Sequence, residues 1–122
     1  MAYMLLIHEP VGQRATRTEA EGRAAYAAME AFGEGIAARG QLQAVASLAG
    51  LDTAVRVSHA RGPAQTLDGP FAEVKEMVGG FFLLQNVTRE EALAYAHACP
   101  AAQWCTVEVR ALAPCFEDKA SV

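Results

Sequence analysis

The sequence predicts a single α+β domain whose strands and helices follow the order β-α-β-β-α-β. A continuous apolar run from Tyr3 to His8 predicts the first strand, and alternating polar and apolar residues at 105–112 predict the last. Two Thr-x-x-Glu capping boxes, at Thr18 and Thr88, predict where the helices begin. This is the split βαβ arrangement, an antiparallel sheet with two helices on one face.

The first helix is predicted to end at Gly40, after an apolar stripe that faces the sheet. Gly33 and Gly35 interrupt this helix, and we expect both to pack closely against the sheet, with a ligand contact as the alternative. Pro100 is predicted to end the second helix, which buries small residues on its inner side. The stripe of the first helix consists of Ala25, Met29, Phe32 and Ile36.

The central segment holds the remaining strands. Residues 41–48 form either a short strand or an irregular connection, while 53–60 alternate as a half-exposed strand with Arg56 and Ser58 on one face. Residues 65–67 resume extended structure, and 80–87 form the strongest strand. The runs at 3–7 and 81–84 lack polar alternation, so they predict burial on both faces of the sheet. Because two helices cover one face only, we expect a homodimer to cover the other.

Length, charge and composition exclude several classes of protein. A chain of 122 residues suits one domain, predicted at 1–113 with a C-terminal tail at 114–122. The net charge is −4 and no two basic residues are adjacent, so no nucleic-acid-binding surface is expected. The first apolar run is too short for a signal peptide or a membrane span, which predicts a cytoplasmic protein without membrane contact.

Cysteine and histidine spacing gives no sign of a disulfide framework or a metal site. Three cysteines without a C-x-x-C motif are expected to be reduced, buried thiols: Cys99, Cys105 and Cys115. His8, His59 and His97 have no ligand spacing, and neither a G-x-G-x-x-G motif nor a P-loop occurs. We therefore expect no metal and no cofactor. His8, at the end of the first strand, is a structural residue or a substrate contact.

The most distinctive segment runs from Asp68 to Val78, where a Gly-Pro corner precedes several charged residues. We expect Gly69 to supply unusual backbone angles. Asp68 and Lys75 are the catalytic candidates, because a carboxylate beside an ammonium group can transfer protons or hold an anion. The alternative for Asp68 is an Asx-type turn. The candidate substrate contacts are Glu73, Glu76, Arg56 and His8.

Arg56 has a second possible partner. If their strands lie in one sheet, Arg56 and Arg110 could together bind a carboxylate bidentately. The alternative is a salt bridge with Glu108 on the sheet surface.

Residues 68–71, Asp-Gly-Pro-Phe, resemble the DGPF signature of the YCII-related proteins. The N-terminal segment at 3–7 and the C-terminal segment at 106–110 are also similar to those of the family, so the resemblance covers roughly residues 1 to 112. It implies a ferredoxin-like fold in the dimeric α/β barrel superfamily. In the YCII branch a His on the first helix and an Asp are the proposed catalytic pair, in a cleft beneath that helix. The first helix here contains no His and is expected to turn Tyr26 and Met29 toward the cleft, and Val74 stands where a Thr is common.

The resemblance implies a small-molecule-binding domain. As an enzyme it would perform cofactor-independent proton transfer of the isomerase or lyase type on a small organic acid. The alternative is a non-enzymatic regulatory or interaction module, because similar domains occur fused or adjacent to alternative sigma factors.

Overall fold

Four antiparallel strands form the main sheet of the computed structural model, which describes residues 1–117. The strand order is β2-β5-β1-β6, with every neighbouring pair antiparallel, and this confirms the ferredoxin-like α+β fold. The elements are β1 (Tyr3–Pro10), α1 (Glu19–Ala38), β2 (Leu42–Ser47), β3 (Val55–Ser58), β4 (Gln65–Asp68), β5 (Glu76–Leu84), α2 (Arg89–Ala98) and β6 (Thr106–Ala111).

Both helices begin at the predicted capping boxes. The Thr18 hydroxyl accepts from the backbone N–H of Glu21, and the Glu21 carboxylate accepts in return from the backbone N–H of Thr18. This backbone hydrogen bond lowers the pKa of Glu21 below its ordinary value. Thr88 and Glu91 repeat the arrangement at the start of α2.

The core lies between the two helices and one face of the sheet. Tyr3, Leu5 and Ile7 of β1 point into it, and Ile36 of α1 is fully buried there. Gly33 packs closely on the sheet as predicted, because an added Cβ would lie 3.3 Å from the Phe82 ring. The same expectation for Gly35 is wrong: nothing lies within 4 Å of its position.

The central segment differs from the prediction in one important respect. Residues 42–47 form a strand, and it is this β2 that joins the main sheet beside β5. The segment at 53–60 was expected to be a half-exposed strand. Its strand β3 instead pairs only with β4 in a separate two-stranded sheet, and all four of its residues are exposed. We call this unit the hairpin, residues 55–68.

The face of the sheet opposite the helices is uncovered in the single chain. Met4 and Leu6 of β1 pair with Leu83 and Phe81 of β5 on this face, and all four are half-buried. The sequence predicts that the apolar strands are buried on both faces of the sheet. In the single chain they are buried on one face only. The sheet is open rather than closed into a barrel.

The cysteines and the tail complete the described chain. All three thiols are unpaired; Cys99 is buried and Cys105 half-buried, but Cys115 is exposed, which corrects the expectation that each would be buried. Residues 118–122 of the predicted tail lie outside the described part. None of the helices within residues 1–117 combines the length and hydrophobicity required to cross a membrane.

Candidate functional site

A cavity of about 700 Å³ lies between α1 and the half of the sheet formed by β2 and β5. Its volume is within the range of small-molecule sites, and most of its lining is apolar. Tyr26 on α1 and Val45 and Leu48 on the β2 side are exposed and line the opening. The other end lies beneath the start of α1, close to the end of β1.

Small residues line both walls of this cavity. Gly22 and Ala25 of α1 line one wall, while Ala46, Gly79 and Gly80 line the other. Gly79 is also the extra residue of a β-bulge, because Ile7 pairs with Gly80 whereas His8 pairs with Val78. A bulge changes the direction of neighbouring side chains and is common beside active sites. Here it leaves two successive glycines buried under the cavity.

Glu9 lies over this bulge. Its side chain is only 8% exposed, and a Cβ on Gly79 would overlap its Oε1 atom. Arg14 donates to Oε1 from both Nε, at 2.9 Å, and Nη2. Among the described residues no hydrogen-bond donor reaches the other oxygen, Oε2. The buried carboxylate is therefore paired on one side and available on the other.

Gln13 organises a second polar group at the same end of the cavity. Its Nε2 donates to the Trp104 carbonyl at 2.7 Å, which fixes the orientation of the amide. Its Oε1 accepts from Arg17 Nη2 at 3.3 Å and from the Cys105 thiol at 3.4 Å. The Arg17 guanidinium also stacks on the Trp104 ring, with 5.7 Å between Cζ and the ring centroid. These contacts hold Arg17 in place on the cavity wall.

Cys105 is not prepared to act as a nucleophile. Burial raises the pKa of its thiol above the ordinary value, and the nearby Glu9 carboxylate raises it further. Arg17 and Arg14 act in the opposite direction but do not outweigh burial. Since the thiolate is the reactive form, Cys105 contributes a neutral thiol to the site.

The predicted site residues lie elsewhere. None of the six lines the cavity, and no ion pair joins Asp68 to Lys75 among the described residues. Asp68 ends β4 and is exposed, as are the side chains of the arm that follows: Glu73, Lys75 and Glu76. The catalytic role of Asp68 and Lys75 stays a prediction.

The corner itself is defined by backbone packing. Gly69 lacks the unusual backbone angles that were expected; a Cβ there would instead overlap the Leu51 carbonyl. Its N–H donates to the Ala54 carbonyl at 2.7 Å, and Phe71 is buried nearby. The Asx-type turn does not form, because Pro70 has no N–H to offer the Asp68 side chain.

Arg56 and His8 have other partners. Arg56 lies on the hairpin, not in the sheet that holds Arg110, and stacks 4.0 Å above the Phe71 ring. His8 points to the uncovered face of the sheet, where its Nε2 lies 2.5 Å from Glu108 Oε1. Arg110 Nε is 3.9 Å from the other oxygen of Glu108. The expected pair of arginines is therefore not assembled within this chain. Of the alternative salt bridges to Glu108, the one from Arg110 forms and the one from Arg56 does not.

The sequence profile of the YCII-related domain matches residues 1–115. The chain belongs to the YCII-related domain family. An uncharacterised protein of Rhizobium meliloti (strain 1021) is 40% identical over 57 residues, which are 47% of this chain and 46% of that protein. The match thus spans less than half the length of this relative.

In this YCII-related domain the helix above the cavity contains Tyr26 and Met29, which both line it as expected. The buried acidic group of the site, Glu9, comes from the end of β1, whereas the carboxylates that α1 adds to the lining, Glu30 and Glu34, are exposed. Within residues 1–117, no three His, Cys, Asp or Glu side chains cluster as metal ligands would.

Sequence reasoning missed Glu9, Gln13 and Arg17. One signal was present for Glu9: it continues the alternation of Tyr3, Leu5 and Ile7, so it occupies a buried position of β1. The apolar run ends at His8, however, so the sequence predicts a strand that stops before Glu9. Gln13 and Arg17 flank a short 3-10 turn (Arg14–Thr16), and their spacing carries no recognisable motif.

Proposed function

We propose that this YCII-related domain binds a small molecule in the cavity between α1 and the β2–β5 half of the sheet. One observation carries the proposal: a mostly apolar space of about 700 Å³ has a buried carboxylate and two guanidinium groups at one end. A few polar groups converging on an apolar pocket are typical of ligand sites.

The chemistry that this geometry supports best is proton transfer on a small organic acid. Glu9 has one oxygen held by Arg14 and the other unoccupied by a protein donor, so it can accept a proton from a bound substrate. A C–H bond next to a carbonyl group would break, its electron pair would form an enolate, and Glu9 would return the proton to another atom. The reaction is an isomerisation and consumes no co-reactant.

Ligand binding can be tested by NMR with a set of small organic acids. We expect shift changes at Gly79, Gly80 and Trp104 and none along the hairpin. Ala25→Phe fills the cavity and should abolish these changes. Ala27→Phe is the matched control, because Ala27 lies on the exposed side of the same helix. If no compound perturbs the cavity residues, or if Ala25→Phe binds as well as the control, the proposal is wrong.

We also propose that two copies of the chain pair through the uncovered face of the sheet. Support comes from its apolar residues, which remain half-buried in the single chain: Met4, Leu6, Phe81 and Leu83. Stable interfaces bury about 1,200–2,000 Å², which a whole sheet face can supply. Leu6→Glu should give a monomer of 13.0 kDa in sedimentation equilibrium, whereas Ala27→Glu on the outside of α1 should remain a dimer. A monomeric parent chain would exclude this interface.

The regulatory alternative is favoured by one observation on the hairpin. Val55, Val57 and Leu67 are large apolar side chains, and each is more than half exposed. If the domain acts as an interaction module, Val57→Lys should weaken partner binding and leave ligand binding in the cavity unchanged. If Val57→Lys instead leaves partner binding unchanged, the result supports the cavity as the functional site.

A further inference from the structure

We propose that Arg17 binds the carboxylate of an organic monoanion whose apolar body occupies the rest of the cavity. The inference rests on the proposed small-molecule function and specifies the charge of the ligand and the residue that recognises it.

The two guanidinium groups at the end of the cavity near Glu9 differ in their ion pairs. Arg14 is neutralised by the Glu9 carboxylate, to which it donates twice. Arg17 forms no ion pair with any carboxylate within residues 1–117. Glu21 is within electrostatic reach and keeps its charge, but its carboxylate accepts from the backbone of Thr18 and does not contact Arg17. Arg17 is therefore the guanidinium at this end of the cavity that no carboxylate contacts, and one ligand carboxylate can pair with it.

Arg17 has hydrogen-bond donors that are available to a ligand. A guanidinium group carries five N–H donors, and in the described structure only one contact, from Nη2 to Gln13, uses them. Stacking on Trp104 and the bond to Gln13 restrict the rotation of the side chain, so little entropy is lost when a carboxylate binds. The adjacent Cys105 is a neutral thiol and does not compensate the charge.

The remainder of the cavity selects the body of the ligand. Its central walls are apolar, formed by Ile7, Ala25, Met29 and Phe82. Two exposed carboxylates of α1, Glu30 and Glu34, also line it. They would repel a second negative charge on the ligand. The cavity should therefore prefer monocarboxylates over dicarboxylates of the same shape.

The experiment compares four probes of similar shape: phenylacetate, the neutral phenylacetamide, the cationic phenethylamine and the dianionic phenylsuccinate. Binding is measured by titration calorimetry and by the indole N–H resonance of Trp104, the single tryptophan of the chain. We expect phenylacetate to bind at least about ten-fold more tightly than any of the three other probes.

Arg17→Gln should reduce the preference for phenylacetate over phenylacetamide to about two-fold or less, with the affinity for the amide nearly unchanged. Arg23→Gln is the matched control, because Arg23 is a highly exposed arginine paired with Glu19 on α1 and does not line the cavity. It should retain the full preference.

The outcomes separate the inference from the function on which it rests. If the acid and the amide bind equally, or if Arg17→Gln keeps the preference, the cavity binds small molecules but Arg17 is not the anion contact. If phenylsuccinate binds more tightly than phenylacetate, the monoanion assignment is wrong. If none of the probes binds at millimolar concentration, both this inference and the small-molecule function are overturned.

Discussion

Two polar regions of this domain are built in opposite ways. In the corner around Asp68 the backbone is tightly packed, with Gly69 against the Leu51 carbonyl, while the charged side chains extend into solvent. At the polar end of the cavity the side chains themselves are packed, and Glu9 is bound by Arg14 over a glycine bulge. The conspicuous motif thus contains a glycine that the packing of the backbone requires, whereas the converging polar groups belong to no motif.

The largest effect is expected for Gly69→Ala. The new Cβ would overlap a backbone carbonyl, which cannot move aside as the end of a flexible side chain can, so the corner must shift. We expect the free energy of unfolding to fall by about 3 kcal/mol, measured by denaturant titration.

Gly35→Ala is the control for this substitution. It lies inside α1 with nothing within 4 Å of the new Cβ, so the better helix propensity of alanine should stabilise the protein by up to about 1 kcal/mol. An equally stable Gly69→Ala variant would show that the corner is not a packed scaffold.

Much of the fold was predictable because local signals agreed with the global order of elements. The two capping boxes, the helix stop at Gly40 and the last strand, β6, all appear as the sequence indicates. The sequence indicates both strands of the hairpin but not that they pair in a sheet of their own, and the reason is physical. Alternation shows that a segment is extended but not which partner it pairs with, and residues 42–47 carried the weaker pattern although they join the sheet.

The candidate site was less predictable than the fold. Its polar residues come from the end of β1 and the turn after it, and its walls include small residues such as Gly22, Gly79 and Gly80. Such a cavity depends on the distance between α1 and the sheet, which no local pattern encodes. Only Glu9, at a buried position of a strand, departs from what its surroundings favour, since buried carboxylates are rare unless they are paired.

A smaller but more discriminating effect is expected from removing one carboxylate in each region. Glu9→Ala leaves Arg14 without its partner and should lower the free energy of unfolding by about 1 to 2 kcal/mol, moderated because Arg14 is partly exposed. Asp68→Ala should change it by less than about 0.5 kcal/mol, because that exposed side chain makes no hydrogen bond within the described chain.

Isosteric variants separate structure from function in this comparison. Glu9→Gln keeps an oxygen that can accept from Arg14, so it should be more stable than Glu9→Ala while losing any proton-transfer activity. Asp68→Asn should match the parent in both stability and ligand affinity. If Asp68→Asn instead loses ligand affinity at full stability, the charge of Asp68 functions in binding and the corner is part of the site.

The smallest expected effect concerns the reaction rate of the Cys105 thiol. Burial and the Glu9 carboxylate raise its pKa, while Arg17 opposes them. Glu9→Gln removes a negative charge, so it should lower the pKa, increase the thiolate fraction and speed the reaction. Arg17→Gln should raise the pKa and slow the reaction. We expect changes of about two- to three-fold in opposite directions.

This rate can be measured with a chromogenic disulfide reagent near pH 8, in a Cys115→Ser background that removes the exposed thiol. Cys99 should remain slow in every variant, because it is buried and desolvation raises its pKa as well. Opposite changes cannot come from loosened packing, since loosening would accelerate both variants. If both substitutions speed the reaction, access controls Cys105, and Glu9 and Arg17 do not set the electrostatic potential at this end of the cavity.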